Sequence, residues 1–490
     1  MFFSNRVIGR IVTVLLILAV MVSGIGWQAS AKEAALVSPY YAKLEESVGE
    51  RTAELTTTLY AGVLAHKTEI NIRSFNVPIN AVQAIQNWLE YDCPELFHYY
   101  VLGYSYIGTT LFSIRPNYLM TAEEYQAAVL FCEKVSGDLL KGIEGNSALS
   151  EAEKALLIHD RLAVWCAYEN DTSQLYGGSP VYSMYGLFAN RRAVCEGYAE
   201  AYNYLLKRVG IFNYVCCHMR NINDPNDDNH AWNIVYIGGK PYHVDVTWDD
   251  PTVNNSDLKG YVQHTYFMIS ESEIQALRSW NDYQDSLLAV PQDSTSDMFW
   301  NGMDKQTLLI GDSIYYYDAY EKAIKNARTG EILKGSLSSP YHYQDGYYFA
   351  SLPFDNYFGI ASTGDFILYN QEDGIYALNV KTGSERKLFQ QIEDNCIYGN
   401  FTCINGAIEY DVYRIHLSGN QISLAKEGEG QKLLFDVTPK AEGEDETVNT
   451  LDLLYIKKVL ATGQTLFVDG FGKIESAEDL ALIRRLLLAQ

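Results

Sequence analysis

Three residues between positions 191 and 250 have the types and the order needed for nucleophilic catalysis: Cys195, His230 and Asp245. A cysteine thiol, a base and a group that orients the base are the parts of an activated thiol nucleophile. The surrounding sequence predicts that the cysteine begins a helix and that the other two residues lie on consecutive strands. Such a group attacks carbonyl carbons and passes through a thioester.

The predicted helix follows Cys195 directly. Its apolar residues recur at spacings of three and four and form one stripe toward a core: Tyr198, Tyr202, Leu205, Leu206 and Val209. Gly210 then ends the helix as a C-terminal cap. Cys195 therefore lies in the first turn, where unpaired N–H groups and the positive end of the helix dipole favour a thiolate over a thiol. Arg191 and Arg192 act in the same direction if they face the sulfur.

His230 and Asp245 lie in two alternating segments that Gly238 and Gly239 separate. This pattern indicates a β-hairpin. If the two glycines are the loop, positions paired across the turn sum to 477, and Asp245 is a diagonal neighbour of His230 on the same face. A loop of odd length would put Asp245 on the opposite face.

The flanking residues resemble the transglutaminase-like superfamily, which has a papain-like Cys-His-Asp core. The likeness is carried by VCEGYAEAY around Cys195, HAWN at His230 and YHVDVTWDDP around Asp245, and it covers about residues 141–285. The resemblance implies an α+β fold in which the nucleophile helix packs on an antiparallel sheet. It implies that Cys195 is the nucleophile, that His230 is its general base and acid, and that Asp245 holds the imidazole tautomer.

The resemblance also implies an activity: a cysteine enzyme that acts on protein or peptide amide bonds, by acyl transfer (cross-linking) or by hydrolysis. No cofactor is required for this chemistry. The side-chain half of an oxyanion hole would come from a residue near the nucleophile, and the candidates are Tyr182, Ser183, Tyr185 and Trp248.

Other interpretations of the three residues stay open at this point. They could be a buried thiol, a core histidine and a carboxylate near a turn, or an incompletely competent pseudoenzyme site. They could also be zinc ligands, although no CxxC or HxxxH spacing is present. His218 and His243 are spare histidines, of which His243 is expected to be a neighbour of Asp245. The alternative to an enzyme is a catalytically inert extracellular interaction scaffold.

Residues 1–31 have the layout of a signal peptide: Arg6 and Arg10, an apolar run from Ile11 to Val22, and Ala29-Ser30-Ala31. An uncleaved anchor is the alternative. We expect a secreted or cell-surface protein without a membrane span after cleavage, and a substrate associated with the cell wall would fit this location. The formal charge of −24 disfavours binding to nucleic acid and to anionic membranes.

The remaining chain is expected to form four parts: an accessory α/β region (32–140), the catalytic domain (141–285), a β-rich domain (286–430) and a helical tail (431–490). In the accessory region, His98 is interpreted as structural. A helix from Glu151 is predicted by a capping box of Ser150 and Glu153. In the β-rich domain, the turn pairs Thr329-Gly330, Thr382-Gly383 and Ser418-Gly419 separate tyrosine-rich strands that look like degenerate propeller blades, too few to close a propeller. Cys396 and Cys403 are either a disulfide of this domain or small buried residues.

The tail contains two copies of a pattern at an offset of 26 residues, beginning at Thr447 and Lys473. Each copy resembles an EF-hand-type loop followed by a helix, and the pair resembles a dockerin, which implies a cohesin-like partner. Loop position 1 is Ala441 in one copy and Phe467 in the other, which predicts weak or absent calcium binding. The carboxylates that remain as weak calcium candidates are Asp445, Asp452, Asp469 and Glu478. The plain alternative is a metal-free helical hairpin.

Overall fold

The computed structural model describes residues 36–218, 229–251, 258–278, 290–295, 298–337, 342–345, 348–351, 358–371, 374–389, 392–393, 396–404, 407–418, 421–433, 466–468 and 472–474. The predicted signal peptide and the four calcium candidates lie outside these residues. Among the described residues, no helix has the length and apolar character needed to span a membrane.

The chain forms two compact units. The first consists of residues up to 248 together with 266–296, and the second of 249–265 together with residues from 297 onward. The accessory region and the predicted catalytic domain thus share one unit. Segment 249–265 of the predicted catalytic domain, 141–285, belongs instead to the second unit. In that unit Tyr261 of the segment pairs with Lys305.

The first unit contains eight α-helices among its described residues. In chain order they are α1 Pro39–Val48, α2 Thr52–Leu64, α3 Val82–Tyr91, α4 Ala122–Leu139, α5 Glu151–Trp165, α6 Met184–Asn190, α7 Cys195–Arg208 and α8 Glu271–Leu277. Helix α5 begins with the predicted capping box, in which Ser150 and Glu153 cap each other's backbone N–H groups. At the end of α7, Gly210 has the predicted positive φ of 80°.

The described residues of the first unit also form three sheets, built from β1 Ile70–Asn71, β2 Tyr99–Ile107, β3 Thr110–Tyr118, β4 Ala167–Tyr168, β5 Arg192–Ala193, β6 Asn213–His218, β7 His230–Ile237, β8 Lys240–Val244 and β9 Phe267–Ile269. Their orders are β1-β3-β2, β4-β5 and β6-β7-β8-β9. The last sheet is antiparallel throughout. It carries the histidine of the predicted site.

The hairpin of β7 and β8 has the predicted register. Asn233 pairs with Val244 and Ile237 with Lys240, so the loop consists of two residues. Gly238 and Gly239 have φ values of 58° and 78°. Positive φ at both loop positions defines the tight turn that matches the twist of the strands, and glycine adopts it without steric cost.

Helix α7 packs on one face of this sheet, where Ala199 contacts Val215 and Ala231 in a small buried cluster. The amide of Asn233 donates to the carbonyl of Ala199 at 3.0 Å. This buried hydrogen bond fixes the helix along the strand that begins at His230. On the other face, Trp232 and Ile234 lie in a separate apolar cluster.

The accessory region has its own core between its helices and the β1-β3-β2 sheet. His98 is fully buried there, with Nε2 3.1 Å from the carbonyl oxygen of Val63. Burial lowers the pKa of His98 to about 4, so the ring is neutral. This agrees with its interpretation as a structural residue.

In the second unit the described elements are strands: β10 Leu308–Ile310, β11 Ser313–Asp318, β12 Ala323–Asn326, β13 Ile332–Lys334, β14 His342–Asp345, β15 Tyr348–Ser351, β16 Ile360–Thr363, β17 Phe366–Gln371, β18 Gly374–Asn379, β19 Glu385–Phe389, β20 Ile392–Glu393, β21 Cys396–Ile404, β22 Ala407–Ser418, β23 Gln421–Leu433, β24 Leu466–Val468 and β25 Gly472–Ile474. Strands β10 to β13 and β16 to β19 form two four-stranded antiparallel sheets in which sequence neighbours pair. A two-stranded sheet, β14-β15, lies between them in sequence.

The two four-stranded sheets repeat one design. In the turn before the last strand, Asn326 accepts from the backbone of Arg328 and Thr329, and Asn379 accepts in the same way from Lys381 and Thr382. These turns hold Thr329-Gly330 and Thr382-Gly383, two of the predicted turn pairs. Ser418 is instead the last residue of the long strand β22, which pairs with β23 in a six-stranded sheet; Gly419 lies outside the described residues.

A bridge between Cys396 and Cys403 is incompatible with the structure. Both residues lie on the single strand β21, where seven steps of about 3.3 Å separate their Cα atoms by roughly 20 Å. A disulfide needs Cα atoms within about 7 Å of each other.

The described part of the tail is extended and not helical. Strand β24 pairs with β25, and β24 adds to β23 in parallel. Strand β25 includes Lys473 and Ile474, the first residues of the second repeat copy. The signal was present in the sequence, since Asp469-Gly470 separates two short apolar segments as in a hairpin. The predicted tail helices lie outside the described residues.

Candidate active site

Cys195 is the first residue of α7 and is partly exposed. The residue before it, Val194, has no polar side chain that could cap the helix. The N–H groups of the first turn can therefore donate to another acceptor. The backbone N–H of Val194 donates to the carbonyl of Val181 at 3.0 Å. This bond ties the start of the helix to the preceding turn, Pro180–Tyr182.

Gly197 allows that turn to lie close to the helix. A Cβ atom at this position would be 2.8 Å from the carbonyl oxygen of Val181 and 2.9 Å from Cβ of Ala193. Both distances are shorter than real side chains adopt, so the close approach requires glycine. Gly197, the glycine of the VCEGYAEAY segment, thus has a packing role next to the thiol.

The structure brings the three predicted residues together. Nε2 of His230 lies 2.6 Å from Oδ2 of Asp245, and both side chains are almost completely buried. The side chain of Cys195 hydrogen-bonds to His230. Because Asp245 occupies Nε2, Nδ1 is the ring nitrogen that is left for the sulfur.

Asp245 is held in place by its own backbone contacts. Its second oxygen, Oδ1, accepts a hydrogen bond from the backbone N–H of Trp248 at 3.2 Å, and its N–H donates to the carbonyl of Tyr266. The residue lies just past the end of β8, on the face that the two-residue loop predicts.

The environment of His230 favours the imidazolium. Burial alone lowers the pKa of His230, but the charge and hydrogen bond of Asp245, followed by the interactions with Cys195, outweigh it and raise the pKa to about 9. The ring is therefore protonated at neutral pH. A protonated ring beside a thiol at a helix N-terminus stabilises a thiolate–imidazolium pair.

Aromatic rings enclose the imidazole. Trp248 stacks on it with ring centroids 4.3 Å apart and an interplanar angle of 18°, and Trp232 lies at 5.9 Å. The guanidinium of Arg278 covers the Trp248 ring. Trp248 therefore shields the histidine from water.

The oxyanion candidates differ in their positions. Tyr182 is within electrostatic reach of Cys195. Ser183 uses its hydroxyl to cap α6, accepting from the N–H of Gly186, and Tyr185 stacks on Phe97. Trp248 stacks on His230. Tyr182 is therefore a candidate that interacts with the nucleophile.

The spare histidine His243 has partners outside the three residues of the site. Nδ1 of His243 accepts from the indole N–H of Trp232 at 3.0 Å, which places the ring proton on Nε2, 3.0 Å from Glu271. His218 pairs with His230 in the backbone register of β6 and β7. His243 is thus a structural link behind Trp232.

The arrangement of the three residues does not match a zinc site. A metal needs ligand atoms that converge on one point. Here the imidazole lies between the other two groups: Nε2 is 2.6 Å from the carboxylate, and the ring also bonds to the sulfur. It is an arrangement for proton transfer.

Sequence reasoning missed the contribution of the accessory region. Glu90 and Tyr91 come from α3: Glu90 hydrogen-bonds to Glu196, and Tyr91 hydrogen-bonds to Cys217 behind the nucleophile. Nothing in the local pattern around Glu90 and Tyr91 indicated this. Glu196 stood next to the cysteine but had no predicted role.

Part of the chain matches a known protein family. The family model of the transglutaminase-like superfamily matches residues 139–246. Two solved structures that resemble the chain are a TGase (16% identity, TM-score 0.22, 30% of this chain and 43% of that one) and a candidate cysteine protease from Cytophaga hutchinsonii (14% identity, TM-score 0.18, 30% of this chain and 62% of that one). The chain thus spans less than two thirds of each. No curated protein matches it.

Residues 139–246 form a transglutaminase-like domain. Members of this superfamily are cysteine acyltransferases or peptidases. The domain includes all three residues of the site and most of the elements that position them, from α5 to β8. The accessory helix α3, which supplies Glu90, lies outside the matched segment.

Proposed function

We propose that this protein is an exported cysteine enzyme that acts on protein or peptide amide bonds through a thioester on Cys195. The observation that carries the proposal is the hydrogen-bonded series of Cys195, His230 and Asp245, with the thiol at a helix N-terminus. Its elements are a nucleophile, a proton carrier and an orienting carboxylate.

The first step forms the thioester. The Cys195 thiolate attacks the amide carbonyl carbon, and the carbonyl electron pair moves to oxygen. In this proposal, backbone N–H groups at the start of α7 and the Tyr182 hydroxyl stabilise this oxyanion, which the helix start at Cys195 and the interaction of Tyr182 with Cys195 support. When the C–N bond breaks, the His230 imidazolium gives its proton to the departing nitrogen, which leaves as an amine or as ammonia.

The second step opens the thioester. Neutral His230 takes a proton from the incoming nucleophile, which then attacks the carbonyl carbon and releases the sulfur as a thiolate. An amine gives a new amide and therefore a cross-link, whereas water gives a carboxylic acid. Asp245 stabilises the imidazolium that this proton transfer restores.

The decisive experiment is alkylation of the protein with iodoacetamide at about pH 6, with the labelled peptide identified by mass spectrometry. An ordinary thiol is largely protonated and slow at this pH. Burial raises the pKa of both Cys132 and Cys217 to about 12, so these thiols do not compete. We expect one fast site, lost in Cys195→Ala and slowed in His230→Ala.

Uniform slow labelling of all cysteines would overturn the proposal and favour the inert scaffold. A reactive Cys195 leads directly to substrate assays. Release of ammonia from glutamine-containing peptides with incorporation of a fluorescent amine indicates cross-linking, whereas new peptide termini indicate hydrolysis.

Two further parts of the proposal rest on sequence alone. Export rests on the signal-peptide layout of residues 1–31, and N-terminal sequencing of the mature protein tests it. A partner-binding role for the tail rests on the repeat at Thr447 and Lys473. Loss of a captured partner on removal of residues 434–490 from the full-length protein would support that role.

A further inference from the structure

Two carboxyl groups meet beside the nucleophile. Glu196 follows Cys195 in α7, and Glu90 lies near the end of α3 in the accessory region. Their side chains hydrogen-bond to each other, and both are partly buried. Two carboxylates cannot form such a bond, because an ionised carboxylate only accepts. The pair therefore holds a proton.

The neighbouring groups act on both carboxyls of the pair. The amide of Gln86 donates to Oε2 of Glu90 at 3.3 Å. Burial, and next the charge of Glu90 and the bond to it, raise the pKa of Glu196. Burial also raises the pKa of Glu90, while the bonds from Gln86 and Glu196 act against that rise. The pair thus shares one proton and carries one negative charge.

The pair is the part of a larger contact that lies nearest the thiol. Three consecutive residues at the end of α3 contact α7: Glu90 bonds to Glu196, the carbonyl of Tyr91 accepts from Asn203 at 2.7 Å, and the carbonyl of Asp92 accepts from Lys207 at 2.9 Å. The accessory region thus holds the helix along its length. The first of these contacts is the one that joins two acidic side chains.

The other titratable groups around the pair are acids, and burial raises the pKa of each. They are Glu200 on α7, Tyr91 at the end of α3, Cys217 on β6, Tyr99 on β2 and Tyr182 in the turn before α6. Cys195 is a further acidic group near the pair, because Tyr182 and Cys217 each interact with both Cys195 and Glu196. A second negative charge on the pair would therefore act on the sulfur and on neutral neighbours.

We propose that Glu90 and Glu196 are positioning residues, a carboxyl pair that shares one proton and thereby fixes the first turn of α7 with Cys195 in its reactive position. The inference rests on the proposed role of Cys195 as the nucleophile. Loss of the shared proton turns a hydrogen bond into repulsion between two carboxylates. It also adds negative charge beside the sulfur, which disfavours the thiolate.

The test compares alanine and glutamine variants at both positions in the full-length protein. Glutamine has the shape of glutamate and keeps a hydrogen bond across the pair, but it cannot ionise. The readout is the rate of thioester formation from an activated ester, p-nitrophenyl acetate, between pH 5 and 10. Glu123→Gln on the exposed surface of α4 is the control for loss of one acidic charge.

We expect Glu90→Ala to slow acylation by about tenfold or more at pH 7, because small displacements of reacting groups cost up to about 10² in rate. Glu90→Gln should restore most of this loss. Glu196→Gln should keep its rate to higher pH than the wild type, since the pair can no longer gain a second charge. The control should follow the wild-type profile.

The outcomes separate two failures. If wild-type Cys195 is neither alkylated at pH 6 nor acylated, the proposed function fails, and this inference fails with it. If the wild type reacts but the alanine and glutamine variants all follow its pH profile, the inference alone is overturned. An equal loss of rate in Glu90→Ala and Glu90→Gln, with unchanged pH dependence, also contradicts it.

Discussion

Oδ2 of Asp245 lies 2.6 Å from Nε2 of His230, although the two residues are not paired in the sheet. His230 is the first residue of β7, and Asp245 follows the last residue of β8. Both are buried, so the carboxylate charge acts on the ring with little screening by water. This contact orients the imidazole and leaves its other nitrogen for Cys195.

Asp245→Asn should inactivate the site without unfolding it. Asparagine keeps an oxygen for the N–H of Trp248, but its amide group can donate to Nε2 and so favour the wrong tautomer of His230. By analogy with serine triads, acylation should fall by about 10⁴. The measurement is the acylation rate with p-nitrophenyl acetate at pH 7. Asp138→Asn, on the exposed surface of α4, should have no effect.

Stability should fall as the pH rises through the pKa of His230. The folded-state pKa is raised from 6.5 to about 9, so the protonated ring stabilises the fold fully below about pH 6.5 and this contribution is lost toward pH 9. The shift corresponds to roughly 3 kcal/mol. The measurement is the free energy of unfolding at several pH values, followed by tryptophan fluorescence. The difference between the wild type and His230→Gln should shrink from pH 6 to 9, and a constant difference would contradict the assignment.

Gly197→Ala should disturb the nucleophile turn. The new methyl group would meet the carbonyl of Val181 at 2.8 Å, and such overpacking typically costs about 1–3 kcal/mol. We expect a lower melting temperature and slower alkylation of Cys195. Gly137→Ala is the matched control, because that helical position has open space and alanine favours helix by about 1 kcal/mol. Equal melting temperatures for the two variants would show that the turn adapts.

Trp248→Ala should slow alkylation of Cys195 at pH 6 by exposing the imidazole to water. Loss of a stacked ring costs about 0.5–1.5 kcal/mol, which corresponds to a rate effect of up to about tenfold. Trp248→Phe keeps an aromatic face over His230 and should retain most of the rate. If phenylalanine were as harmful as alanine, the indole N–H would have a separate role, such as donation to the oxyanion.

The helix and hairpin of the site were predictable because their signals are local. The apolar stripe from Tyr198 to Val209 and Gly210 indicated α7, and Gly238 with Gly239 indicated the two-residue loop that places His230 and Asp245 on one face. The repeated turns at Thr329-Gly330 and Thr382-Gly383 were found for the same reason. Each of these features depends on residues a few positions apart.

The tail contains a strand pair that its repeat did not indicate. The repeat at Thr447 and Lys473 favoured EF-hand-type loops followed by helices; the predicted helices lie outside the described residues, and within the second loop residues 466–468 and 472–474 pair as strands. A short segment can satisfy either pattern, and the edge of a neighbouring sheet supplies hydrogen bonds that favour the extended form. Strand β23 provides that edge for β24.

By itself, the sequence predicted the three residues of the candidate site and the chemistry proposed for them, because Cys195, His230 and Asp245 are positioned by one helix and one hairpin with local signals. Only the tertiary structure decided that Glu90 of α3 meets Glu196, and that segment 249–265 joins the second unit. Contacts between elements a hundred residues apart depend on how complete surfaces pack. That packing leaves no periodicity in the chain from which it could be predicted.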